Sequence, residues 1–168
     1  MYEILLNKEY SSLLNLLELT GEIEGRIKFQ KIVYILQSKG FPFSFKYKYH
    51  HFGPYSVDLQ LGIEELVDNN LIKESGSDPY KYTLSEQIPP KGNDKPFLKN
   101  KDIIDLLNIT DYRILELVST IYYIKERGFK ACDVIKKQLE LLKPNLSKKI
   151  NEAYDYYLEL ENDFPIRV

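Results

Sequence analysis

Residues 56–85, "SVDLQLGIEELVDNNLIKESGSDPYKYTLS", hold two patterns back to back. Leu59, Ile63, Leu66 and Val67 recur at helical spacing. Ser56 stands where an N-cap belongs, and Asp58 falls in the first turn, where the helix dipole favours an acid. This helix is expected to run to about Asp68. Two strand-length runs follow, 71–74 and 80–84, joined by Ser75-Gly76-Ser77-Asp78-Pro79, a string rich in turn-forming residues. The stretch therefore predicts a helix leading into a β-hairpin.

Working back from Ser56, "HHFGPYS" (50–56) pairs two histidines with a Gly-Pro turn. Phe41, Phe43, Phe45, Tyr47 and Tyr49 alternate with Ser44, Lys46, Lys48 and His50, which predicts a half-buried strand ended by Gly53-Pro54. Gly53 can take backbone angles closed to other residues and Pro54 suits a corner, so the pair is expected to swing the chain from strand into helix. That turn orients Phe52 and Tyr55, and the corner doubles as a contact surface. Adjacent residues on a strand face opposite ways. His50 and His51 are therefore expected as a strand end and not as metal ligands. They are the only two histidines in the chain.

Further upstream, residues 26–39 predict a helix with a broad apolar face (Ile27, Phe29, Ile32, Val33, Ile35, Leu36), closed by Gly40. Residues 4–19 predict another, through Leu5, Leu6, Leu13, Leu14, Leu16 and Leu17, with a polar break over 9–12. Helix, helix, strand, helix, hairpin is the order of a winged-helix domain, with the hairpin as the wing. Downstream, 85–100 is rich in Pro, Gly and charge and is expected as a linker or long loop. Helices are then expected over 111–127 (capped by Thr110), 130–142 and 147–162. The fold class is mainly α (α+β). A winged-helix-like domain over 1–84 and a linker over 85–100 precede a C-terminal helical region over 101–168. The C-terminal apolar stripes need a partner surface: either they cover the winged domain or they build a homodimer interface.

The 168 residues carry a net charge of −2, with fourteen tyrosines, eight phenylalanines and no tryptophan. That balance gives no global drive toward nucleic acid or membrane. The single Cys132 excludes an intrachain disulfide and a multi-cysteine metal site. Its place on an amphipathic helix suggests a small packing residue. No apolar run reaches spanning length, and Met1-Tyr2-Glu3 opens without a basic leader, so a cytoplasmic protein with no membrane partner is expected. There is no G-x-S-x-G elbow, Gly-rich phosphate loop or H-E-x-x-H. Glu22, Glu24 and Lys28 can be drawn as a nuclease-like cluster or as the first turn of a solvated helix. No enzyme and no cofactor are expected.

Charge is unevenly spread. Residues 21–55 hold six basic residues against two acidic, and 56–74 hold five acidic against one basic. A winged-helix protein normally reads DNA with its third helix, and here that helix carries Asp58, Glu64, Glu65 and Asp68. Nucleic-acid contact, if made, falls to Arg26, Lys28, Lys31, Lys46, Lys48, Lys73 and Lys81. Lys46 and Lys48 can equally be the polar side of a half-buried strand. The alternative is a protein partner, such as a toxin, engaged through Phe52, Tyr55, Asp58 and Glu65.

"GRIKFQKIVYILQSKGFPF" followed by "YHHFGPYSVDLQLGIEELVDNNLI" resembles the YwgA-like proteins. The shared features are the Lys-Phe-Gln-Lys-Ile-x-Tyr helix (28–34), the Gly-Pro-Tyr-Ser corner (49–56) and the Leu-x-x-x-Ile-Glu-x-Leu helix (59–66). "STIYYIKERG" and "LELLKPNLS" are similar to the same family. The helix and the Gly-Pro corner are more distantly similar to the Panacea antitoxin domain, which implies a protein that neutralises a toxin or regulates a partner. Neither resemblance supplies catalytic residues.

Overall fold

The computed structural model describes residues 3, 7–86 and 94–167. Helix α1 (Lys8–Thr20) is opened by Asn7, whose side chain accepts from the Glu9 and Tyr10 amides. The polar stretch over 9–12 lies within this one helix, where Tyr10, Ser11 and Ser12 turn partly inward beside Leu13, Leu14, Leu16 and Leu17. The expected Leu5 and Leu6 fall outside the described residues. A two-residue strand β1 (Ile23–Glu24) leads into α2 (Arg26–Ser38), in which every residue from Phe29 to Leu36 is buried.

The alternation from Phe41 to Tyr49 is present in the burial, since Phe41, Phe43 and Phe45 are inside and Pro42, Ser44 and Lys46 outside. The expected long strand is not. Only Lys48–His50 (β2) pairs, with β3 (Gly53–Tyr55), in a two-stranded antiparallel ribbon. The reason lies in the hydrogen bonding. Pro42 has no donor, and the Phe45 backbone is served by a side chain instead: its N–H donates to Gln37 Oε1 (3.0 Å) and its carbonyl accepts from Gln37 Nε2 (2.9 Å).

Helix α3 (Val57–Asp68) starts at Ser56, whose hydroxyl accepts from the Leu59 amide. Strands β4 (Ile72–Ser75) and β5 (Lys81–Leu84) form the expected hairpin, and β1 adds to its other side, giving the sheet order β1-β5-β4, all antiparallel.

Residues 87–93 of the expected linker fall outside the described residues. Its C-terminal part is a short helix, α4 (Lys95–Lys99), which buries Phe97 against Phe41 and Phe43. Helix α5 (Lys101–Ile109) follows. Thr110 does not cap α6 (Tyr112–Glu126). Its hydroxyl turns back to the Leu106 carbonyl (2.7 Å) and meets the Tyr156 hydroxyl (2.8 Å), and Asp111 caps α6 instead. Helix α7 (Cys132–Leu142), a 3₁₀ turn (Pro144–Lys149) and α8 (Ile150–Asp163) complete the chain. Cys132 is exposed and not packed as expected, because the buried stripe of α7 begins one turn later, at Ile135.

The molecule is mainly helical with two small antiparallel sheets. Helix α6 is its axis: Ile114, Leu115, Leu117, Val118, Ile121 and Ile124 are buried between α2 on one side and α7 and α8 on the other. The stripe of α6 thus packs on α2, and α7 and α8 pack in turn on α6. Burying side chains of this size stabilises by about 1.5–3 kcal/mol each before chain entropy is counted. Among the described residues, no helix is long and apolar enough to cross a membrane.

Candidate partner-binding corner

The corner at residues 50–56 is not a simple bend from strand to helix. His50 pairs with Gly53, Tyr49 with Pro54 and Lys48 with Tyr55, so His51 and Phe52 form the two-residue tip of a hairpin. Pro54 is tolerated because the ribbon has only two strands and therefore only edges. The His51 ring stands edge-on to Phe52 at 4.8 Å, and the His50 ring lies 5.0 Å from Tyr55. Among the described residues, no three His, Cys, Asp or Glu side chains are grouped to hold a metal ion.

The hairpin is clasped from beneath by charged groups. Lys31 Nζ donates to the Pro54 carbonyl (2.5 Å), and Lys143 Nζ donates to the His51 carbonyl (2.5 Å) while pairing with Glu116 Oε1 at 2.7 Å. All three side chains are buried, and Lys31 is 1% exposed. Burial disfavours the Lys31 ammonium and lowers its pKa to about 7; Glu116 opposes that shift and the Lys143 charge adds to it. Gln30 joins the clasp with both ends of its amide, donating to the Ser56 carbonyl (2.9 Å) and accepting from the Ser56 amide (3.0 Å). Gln30 and Gln37 lie two helical turns apart on α2 and secure the backbone on either side of the hairpin.

Gly53 has φ +89°, and a Cβ there would stand 3.0 Å from Thr120 Oγ1 and 3.7 Å from Lys31 Nζ. We therefore expect Gly53→Ala to lose about 2 kcal/mol in urea unfolding, from a left-handed backbone plus a crowded clasp. An unchanged midpoint would show that the ribbon can lift away from α6.

The residues expected to bind nucleic acid do not form one cationic surface. Lys31 is the clearest correction: it is sealed inside and committed to a backbone carbonyl, beyond reach of a phosphate. Lys28 donates to the Asn108 carbonyl at 2.8 Å. Arg26 lies 3.7 Å from Glu74, stacks over the Tyr80 ring at 4.4 Å and reaches the Tyr82 hydroxyl at 3.2 Å. Lys81 stands between Glu22 (3.8 Å) and Glu24 (3.9 Å), while Glu24 and Lys28 line one cleft. Such exposed pairs contribute little stability, but they interleave opposite charges. Lys46, Lys48 and Lys73 are exposed.

Of the expected protein-binding residues, Phe52 and Tyr55 line one cleft, while Asp58 and Glu65 lie on the exposed side of α3 nearer Tyr10. Phe52 is 48% exposed, and with Tyr55, Gln60, Glu64 and Arg26 it lines a cleft of about 200 Å³ at the start of α3. From that cleft the outer face of α3 presents Val57 (54% exposed) and Leu61 (56%) in successive turns, bordered by Asp58, Glu64, Glu65 and Asp68, all exposed. Glu65 accepts from the Tyr10 hydroxyl at 2.5 Å, a bond that, with burial, pushes the phenol up to about 12. Sequence reasoning missed Gln30, Glu116, Thr120 and Lys143. The available signal was Glu116 beside the apolar stripe of α6.

This chain is similar to a known protein along most of its length. It is 37% identical over 161 residues, covering 90% of this chain and 93% of the relative, to the uncharacterized protein YwgA of Bacillus subtilis (strain 168). The chain belongs to the YwgA family. No family model matches it, and no solved structure does. In this YwgA-family chain the Lys-Phe-Gln-Lys-Ile-x-Tyr helix carries the clasp: Gln30 and Lys31 hold the corner, and Tyr34 reaches across to Glu126.

Proposed function

We propose that this YwgA-family chain is a non-enzymatic, winged-helix type module that binds a protein partner through the Phe52–Tyr55 cleft and the outer face of α3. The helix order and the sheet order β1-β5-β4 support the winged-helix reading, with β4 and β5 as the wing and β2–β3 as an added ribbon. The observation that carries the binding reading is the outer face of α3, where Val57 and Leu61 are exposed within a ring of four acids. An apolar centre with a polar rim is the make-up of a protein interface. Four carboxylates repel a duplex, whose affinity for proteins comes largely from phosphate neutralisation. The fitting partner carries a cationic surface around an apolar patch, as an adaptor's client or a toxin held by its antitoxin would.

A second reading keeps nucleic acid, now through the exposed Lys46, Lys48 and Lys73. Random-sequence duplex DNA titrated at 20–200 mM salt tests it. We expect no binding at the low-salt end. Binding that weakens steeply with salt and disappears in Lys46→Glu/Lys48→Glu would replace the protein-partner reading with the nucleic-acid one. The protein reading itself predicts a partner captured by affinity purification from the source cells. That partner should be lost in Leu61→Asp, released by salt, and retained in Lys46→Glu/Lys48→Glu.

A further inference from the structure

Away from the α3 surface, a cleft of about 300 Å³ opens between the C-terminal half of α2, the extended segment before β2 and the end of α6. Its walls are aromatic: Tyr34, Phe45, Tyr47 and Tyr123. Its acid is Glu126, whose two carboxylate oxygens accept from Tyr34 Oη (3.1 Å) and Ser38 Oγ (3.0 Å). Those hydroxyls fix the carboxylate without neutralising it, and Glu126 has no ion-pair partner among the described residues. The Tyr47 hydroxyl is shut off from solvent and has no hydrogen-bond partner, although its ring meets Tyr34 edge-on at 4.6 Å. The last wall shows what these rings accept. The Arg127 guanidinium carbon lies 3.4 Å from the centre of the Tyr123 ring, so a planar cation is already stacked on one aromatic face.

We propose that this cleft binds the cationic head of an alkylguanidinium or alkylammonium ligand. Tyrosine faces attract cations through their ring quadrupole. A fixed, unneutralised carboxylate beside them accepts charge-assisted N–H bonds. The head therefore has to carry N–H groups, and the stem lies along Phe45. The same head arrives on a free small molecule or on an arginine or lysine of a peptide. The proposal does not rest on the partner-binding role of α3.

Calorimetric titration with n-butylguanidinium, n-butylammonium and the neutral isostere n-butylurea tests it, with binding placed on the protein by amide chemical shifts at Tyr123 and Arg127. We expect saturable binding of both cations and none of the urea. Glu126→Gln, which removes the charge and keeps one acceptor oxygen for the two hydroxyls, should weaken binding at least tenfold. The blocked tripeptide acetyl-Gly-Arg-Gly-amide separates the sources. Binding as tight as n-butylguanidinium assigns the cleft to a peptide side chain, and exclusion of the tripeptide assigns it to a free cation. Equal binding of n-butylurea, no saturation by either cation in the wild type, or unchanged binding in folded Glu126→Gln overturns the proposal. The wild-type comparison of cation with urea decides the matter even where Glu126→Gln does not fold.

Discussion

Glu116→Ala should cost about 3–5 kcal/mol of stability, a large share of the roughly 5–15 kcal/mol a domain possesses. Among the described residues Glu116 is the only carboxylate paired with Lys143, and both are buried. Removing it leaves an ammonium in low dielectric with the His51 carbonyl and the Tyr49 ring, 5.4 Å away, for company. It also takes away the charge that opposes the lowering of the Lys31 pKa. Glu116→Gln should cost less, because an amide oxygen still accepts from Lys143. The informative variant is the double one. In Glu116→Leu/Lys143→Met the pair goes together, and the carbonyl left behind belongs to His51 at the exposed hairpin tip, where water can serve it. Removing a buried pair jointly is often neutral, so the double variant should recover most of the loss. Urea unfolding followed by circular dichroism measures all three. A Glu116→Ala loss below about 1 kcal/mol would mean that water reaches the clasp and that the ribbon is not held from beneath.

That clasp is also where sequence reasoning stopped. The helices α2 and α3 and the β4–β5 hairpin were legible because each carries its own periodicity and its own caps or turn residues. Alternation over 41–49 was legible as burial but not as pairing: period two reports which side chains face inward, not whether the backbone has a neighbour. Gln37 took the neighbour's place, and nothing in a glutamine's position announces that. Gly53-Pro54 looked like a stop because proline is excluded from central strands, yet a two-stranded ribbon has no centre. The largest error of placement was Lys31. A lysine counts as surface charge until a partner is known, and its surroundings come from α6, from the Pro54 carbonyl and from Lys143. The same holds for Arg26 and Lys81, whose acidic neighbours arrive from other strands. Charge counted along the chain survives folding where the element is exposed throughout, as on the outer face of α3. It fails where tertiary contacts cancel or bury it. Phe52, Tyr55 and the acids of α3 were legible because local spacing alone put them on one side of one helix and its entry turn.

The second large effect is a rise in stability with pH between about 7 and 10. In the unfolded chain the Lys31 amine holds its proton up to the ordinary 10.5, whereas in the folded protein it releases it near 7, because burial penalises the charged form. Between those values the unfolded state binds more protons, so unfolding becomes less favourable as pH rises. One group contributes at most about 1.4 kcal/mol per pH unit. The charges make the same point without titration: two buried lysines face one buried glutamate, and the cluster balances only when Lys31 is neutral and Lys143 keeps the ion pair. Above pH 10 the trend reverses. Burial holds Tyr49 and Tyr156 protonated up to about 12, against 10.0 when unfolded, so there the folded state binds more protons and stability falls. Urea midpoints at pH 7, 8, 9 and 10 should therefore climb in the wild type and stay nearly level in Lys31→Met. The Pro54 carbonyl loses its donor in that variant, which offsets its curve by about 1–3 kcal/mol at every pH, so the slope is the readout and not the height. A wild-type profile as flat as that of Lys31→Met would place the Lys31 proton in an environment as wet as the surface, and would leave Lys143 and Glu116 as the buried charges beneath the corner.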